Sequence, residues 1–127
     1  MSETAVLPGS VMWMDLTVPA AGEVRDFYAA VVGWRVAPVA MEGYEDFCMI
    51  PPGAEAPAAG ICHARGDNAG LPAQWLIYLT VADLDASLAE CLRRGGRALT
   101  PVREMGGGRM AVIQDPAGAV VALFQVG

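Results

Sequence analysis

The chain contains no lysine: its eight basic residues are all arginine, against 14 acidic ones, for a net charge of −6. No basic face can be assembled from so few cations, which excludes the electrostatic footing that nucleic-acid binding requires. Cysteine is scarce as well. Cys48, Cys62 and Cys91 are odd in number and lack close pair spacing, so neither a disulfide framework nor a zinc knuckle is expected. Each is read as a small buried hydrophobe. Long apolar runs are also missing, since none approaches the roughly 18 residues of a membrane helix, and no membrane partner is expected. Met1-Ser2-Glu3-Thr4 has no basic region leading into an apolar run, so no secretory signal is expected and the location is read as cytoplasmic.

What is present is a folded composition. Apolar residues make up 54% and charged residues 17% of 127 positions, which suits one domain over residues 1–127 with a core of its own. The chain also repeats itself. A shift of 63 residues carries Leu16-Thr17-Val18 onto Leu79-Thr80-Val81, Gly33 onto Gly96, Pro38 onto Pro101 and Ile50 onto Ile113. A one-residue adjustment then sets Gly60-Ile61 against Ala122-Leu123. The order of structural signals is the same in both halves, which is what tandem modules produce.

Each half opens on an alternating segment, Met12 to Val18 and Trp75 to Val81, the mark of a half-buried strand. A helix follows. In the first half Val24, Phe27, Tyr28, Val31 and Val32 recur at helical spacing and Gly33 is the stop. In the second, Asp83 is the N-cap, Leu84, Leu88, Cys91 and Leu92 share a face, and Gly95-Gly96 end the run. Three short strand-like runs come next, with a turn at Asp115-Pro116-Ala117-Gly118. Gly106-Gly107-Gly108 lacks the Lys and Ser/Thr of a phosphate loop and is read as a mobile hairpin loop. The expected fold is therefore α+β, two βαβββ modules over about 10–63 and 74–126, joined by a polar, Gly-rich linker at 64–73.

One helix per module covers one face of its strands. Met12, Met14, Leu16 and Val18, with Trp75, Ile77, Leu79 and Val81, are expected to face the helices. Alternation sends Trp13, Asp15, Thr17, Leu76, Tyr78 and Thr80 to the other face. In the last strands Ile61, Val121 and Leu123 go to the helix side, and Gly60, Cys62, Val120, Ala122 and Phe124 oppose them. Phe47, Met49, Met110, Val112 and Gln114 are placed with the second group. The helix-free face thus mixes aromatic, aliphatic and a few polar groups, as small-molecule sites do.

On the segments WMDLTVPAAGEVRDFYAAVVGW, WLIYLTVADLDASLAECLRRGG and GGGRMAVIQDPAGAVVALFQ, the chain resembles the glyoxalase/bleomycin-resistance/dioxygenase (vicinal oxygen chelate) superfamily over about residues 10–126. Phe27-Tyr28…Gly33-Trp34 and Asp115-Pro116-x-Gly118 carry the superfamily's commonest marks. The resemblance implies an eight-stranded, cup-shaped mixed sheet with helices on its outer face, often in a homodimer. It does not choose an activity, because these proteins include lyases, epimerases, dioxygenases, thiol transferases and drug-sequestering proteins. It also implies metal-ligand positions at Trp13, Gly60, Leu76 and Ala122. None of these carries a donor for a divalent cation, and a one-residue slip offers only Cys62 or Asp15. No metal or other cofactor is expected.

His63 is the obvious candidate base, but strand parity turns it away from the helix-free face, and a structural role is preferred. Asp15 and Tyr78 are the candidate acid–base residues. A carboxylate on a buried face is either paired, for instance with Arg109, or used on a ligand. Trp34 is read as core filling. The expected ligand contacts are Trp13, Asp15, Thr17, Cys62, Leu76, Tyr78, Met110, Gln114 and Phe124. Three functions are carried forward: a metal-free small-molecule binder, a metal-independent lyase, isomerase or epimerase, and a non-catalytic dimeric partner. The expected partners are a small-molecule ligand and a second copy of the chain.

Overall fold

In the computed structural model, which describes residues 6–127, the chain runs β1 (Val11–Val18), α1 (Ala21–Val32), β2 (Arg35–Ala40), β3 (Glu45–Ile50) and β4 (Ala59–His63). It continues through a single 3₁₀ turn at Gly66–Asn68 to β5 (Trp75–Thr80), α2 (Leu84–Arg93), β6 (Arg97–Ala98), β7 (Arg103–Met105), β8 (Gly108–Gln114) and β9 (Val120–Val126). The segment read for a secretory signal, residues 1–4, lies outside the described residues. Two compact units form: one from residues 14–75, the other from residues 76–127 with the segment before Met14.

The units share one topology. In the first the strand order is β2-β3-β4-β1, and in the second β6-β8-β9-β5, with β7 also on β8. β1 and β4 are parallel, as are β5 and β9, and the remaining pairs are antiparallel. The fold is α+β with mixed sheet. Register repeats as the sequence shift requires: Leu16 lies beside Ile61 and Leu79 beside Leu123.

The second unit has one strand more than expected because its second strand is broken. β6 and β7 both pair with β8, Arg97 with Gln114 and Arg103 with Met110, so two extra residues bulge between them. Pro101 sits in that gap and has no N–H for the ladder. Thr100 repairs the break: its Oγ1 accepts the Val112 N–H at 3.0 Å. Pro38, at the same place in the first unit, leaves β2 unbroken, and that strand ends its unit's strand order.

Turn chemistry follows the sequence. Gly33 closes α1 at φ 85°, donating to Ala29 O, and the Asp83 carboxylate caps α2 by accepting from Ala86 N at 3.1 Å. Asp115 Oδ1 accepts from both Ala117 N and Ala119 N, and Gly118 takes φ 93°. The triple glycine makes the hairpin expected of it. Gly106 and Gly107 form a two-residue hairpin turn with φ 56° and 81°, and Gly108 starts β8 opposite Met105. Positive φ at both central residues matches the turn that suits strand twist.

The first unit's core joins Leu16, Val18, Ala21, Phe47, Met49 and Ile61, with Val24, Tyr28, Trp34 and Trp75 packed on it. Phe47 and Met49 therefore face α1, which corrects their placement on the helix-free face. Phe47 lies opposite Ile61, and cross-strand partners share a face. Trp34 fills core as expected, 5.9 Å from Trp75, whose Nε1–H donates to Tyr28 OH. Helical spacing overstated burial on both helices. Phe27 is 57% and Leu92 61% exposed, because neither helix is covered on more than a narrow stripe.

Candidate functional site

The polar positions singled out by alternation lie where the register predicts. In the first unit Asp15 sits beside Gly60 and Thr17 beside Cys62, with Gly60 next to Cys48 on the far side. Asp15 is 4% exposed. In the second unit Tyr78 sits beside Ala122 and Thr80 beside Phe124; Phe124 is opposite Met110, Ala122 opposite Val112, and Val120 opposite Gln114. Tyr78 is 3% exposed and Met110 is fully buried. Asp15 and Tyr78 are thus equivalents: each stands in its unit's first strand, beside the last strand's residue of smallest side chain, Gly60 or Ala122.

Leu76, Tyr78, Thr80, Met110, Val112, Ala122 and Phe124 share the second unit's helix-free face, and all are buried. Gln114 is half-buried at its end, and Trp13 is half-buried two residues before Asp15 in β1. The opposite face is the less closed one, which corrects the expectation that α2 covers it. Ile77 is 42% exposed. Between α2 and the strand residues Val81, Ile113 and Leu123 lies an open groove of about 510 Å³. It exists because α2 turns the short side chains of Ala86, Ser87 and Cys91 toward it. Its acidic rim is already engaged: Glu90 is held by Arg93 and by Arg94 at 2.8 Å, and Asp115 by its own turn. The two guanidiniums keep the Glu90 carboxyl below its ordinary range. Being exposed, these pairs contribute little stability.

The metal-ligand positions implied by the resemblance do not fit a metal. Trp13, Gly60, Leu76 and Ala122 present no imidazole, carboxylate or thiolate, and their strand neighbours add one carboxylate, Asp15, one thiol, Cys48, and one phenol, Tyr78, short of a ligand set. Among the described residues no group of three or more His, Cys, Asp or Glu side chains is placed to hold an ion. Arg109, considered as a partner for Asp15, reaches Asp85 on α2 at 3.0 Å. The three cysteines form no disulfide and are half-buried.

His63 pairs with Val18, on the α1 side of its strand, as parity requires. Its partner Asp46 escaped the sequence reading. Asp46 Oδ1 accepts the His63 backbone N–H at 2.9 Å and lies 3.2 Å from Nδ1. An acidic residue inside the strand, directly before the apolar run at residues 47–50, was the available signal.

Comparison with known proteins agrees with this architecture. A model of the glyoxalase-like domain matches residues 12–124. The chain is 32% identical over 136 residues to the anthracycline biosynthesis protein DnrV of Streptomyces peucetius, covering 98% of this chain and 50% of that protein. It is 32% identical over 127 residues to the putative glyoxylase CFP32 of Mycobacterium tuberculosis, covering 92% and 46% respectively. The chain spans about half the length of the curated relatives it matches. The crystal structure of methylmalonyl-CoA epimerase from Mycobacterium tuberculosis shares the fold, with a TM-score of 0.57 at 19% identity over 100% of this chain and 93% of that one. With a family model matched over residues 12–124 and relatives 32% identical over most of its length, this chain belongs to the glyoxalase-like domain family.

Proposed function

We propose that the chain is a metal-independent small-molecule-binding protein whose helix-free strand faces contact a fused-ring aromatic ligand. The observation that carries this reading is the equivalence of Asp15 and Tyr78: Tyr78 stands on a buried face otherwise built from Leu76, Met110, Val112 and Phe124, and Asp15 holds the matching register position, beside Gly60, in the first unit. Few, well-placed polar groups on an apolar surface are what orient a small ligand. The likeness to anthracycline biosynthesis proteins supports an aromatic natural product as the ligand class, and drug sequestration as one use of such binding. A carboxylate on the same strand face as an indole, as Asp15 is with Trp13, favours a cationic ligand, because charge and ring quadrupole act together where water is excluded.

Calorimetry with matched amino-substituted, neutral and sulfonated anthraquinones tests this. The amino compound should bind tightest, and a binder at a hundredfold excess over its dissociation constant should add about 2.7 kcal/mol of stability. Loss of that ranking in Asp15→Asn is expected; an unchanged ranking, or tightest binding of the sulfonate, would overturn the charge assignment.

A second reading, acid–base catalysis without a metal, is favoured by the same pairing of a carboxylate with a phenol. Deuterium from solvent appearing in a recovered ligand, and its loss in Asp15→Asn or Tyr78→Phe, would support it. We further propose a cytoplasmic, homodimeric working form; among the described residues no helix is long and apolar enough to cross a membrane.

A further inference from the structure

The repeat provides an internal comparison for the one histidine. His63 is the last residue of β4 beside Val18, and its counterpart near the end of β9 is Gln125. α1 begins at Ala21 and α2 at Leu84, a spacing equal to the 63-residue repeat, and both first residues are fully buried. In the second unit the counterpart is used up: Gln125 Oε1 accepts the Leu84 N–H at 2.7 Å and closes the helix start. In the first unit α1 has no side-chain cap, and the imidazole is turned to Asp46 instead. Among the described residues nothing engages its Nε2.

Around that imidazole the first unit gathers cations in a chain that otherwise carries net negative charge. The Tyr44 and Phe47 rings stand 5.6 and 6.0 Å from the His63 ring. Arg65 lies 3.8 Å over the Tyr44 ring and Arg25 4.5 Å over the Phe47 ring. Arg25 is paired with Asp26 at 2.9 Å, whereas the Arg65 guanidinium meets no carboxylate or carbonyl among the described residues. Asp46 is turned inward, with Oδ1 occupied by the two nitrogens of His63. With Asp46 at Nδ1, Nε2 is the ring nitrogen left for a ligand. A guanidinium forms charge-assisted hydrogen bonds to an oxyanion, an imidazole N–H can add another, and stacking on rings pre-orders the arginines.

We propose that His63 and Arg65, with Arg25 adding field, form a binding site for a small oxyanion, a phosphate or carboxylate group, on the α1 side of the first unit. It is separate from the strand-face reading above and stands or falls independently of it.

Because His63 is the only histidine, its ring resonance reports on the site without assignment ambiguity. Titrating the full chain with inorganic phosphate at constant ionic strength should move that resonance to saturation, with a dissociation constant of about 1 mM. Arg65→Ala should weaken binding about tenfold, in line with one charge-assisted hydrogen bond, while Arg65→Lys should retain most of it. Arg109→Ala, which breaks only the pair with Asp85, should change nothing. Arg65 is exposed in the segment after β4, so an otherwise unchanged spectrum will show that its variants fold. A shift that never saturates, or equal affinity in Arg65→Ala and the parent chain, would overturn the site.

Discussion

At the scale of single residues, two positions tolerate no other side chain. A Cβ at Gly108 would stand 2.3 Å from the Gln125 carbonyl oxygen and 2.7 Å from the Phe124 ring. A Cβ at Gly96 would stand 2.8 Å from the Gln114 carbonyl oxygen and 2.6 Å from Cys91 Sγ. The backbone carbonyls cannot move without breaking the β8–β9 ladder, so the strain has no inexpensive outlet. Gly108→Ala should destabilise the chain by about 2–3 kcal/mol, at the upper end of overpacking costs, whereas Gly43→Ala, with nothing within 4 Å, pays only for its positive φ. Urea denaturation of the two variants measures the difference. Equal losses would mean that the neighbours of Gly108 yield to a Cβ at little cost.

At the scale of elements, the broken strand β6–β7 depends on one hydroxyl. Thr100 is buried, and its Oγ1 takes the place of the backbone acceptor that the bulge at Pro101 removes from Val112. Thr100→Val keeps the shape and deletes the acceptor, stranding a buried N–H at a cost of about 1–3 kcal/mol. Hydrogen exchange at Val112 should accelerate more than at Ala111 on the same strand. Uniform acceleration along β8 would show instead that the whole strand had loosened. Pro38 needs no such repair, since its strand has one neighbour and the missing N–H is lost from an edge.

At the scale of the whole molecule, exposed apolar side chains are the observation to explain. Phe27, Val31 and Val32 on α1, and Val36, Val39 and Met41 on or just after β2, remain open to water. Surfaces of this kind, with an unpaired strand edge, are where a second copy docks. Sedimentation at tens of micromolar (about 50 µM, a concentration at which mass action favours even moderate dimers) should show a dimer. Phe27→Asp, on an exposed surface of the monomer, should shift it toward monomer without unfolding it. A monomer in the parent chain would remove the homodimer from the proposal.

The sequence by itself determined the repeat, the strand–helix order, the helix stops and caps, and the face each residue of β1, β5, β8 and β9 takes. These are local properties: periodicity, turn chemistry and the strict alternation of a strand. It also settled that the expected ligand positions carry no metal donors. Tertiary structure decided what alternation cannot. Phe47 and Met49 were misplaced because the parity of β3 is set by its register against β4, and no residue inside β3 records that register. Burial of Leu92 and Ile77 was overestimated because helical spacing defines a face but not how much of it a neighbour covers. The groove under α2 and the Asp46–His63 contact were hidden for the same reason. Both arise between residues distant in the chain, where packing of whole elements, not local pattern, fixes which side chains meet.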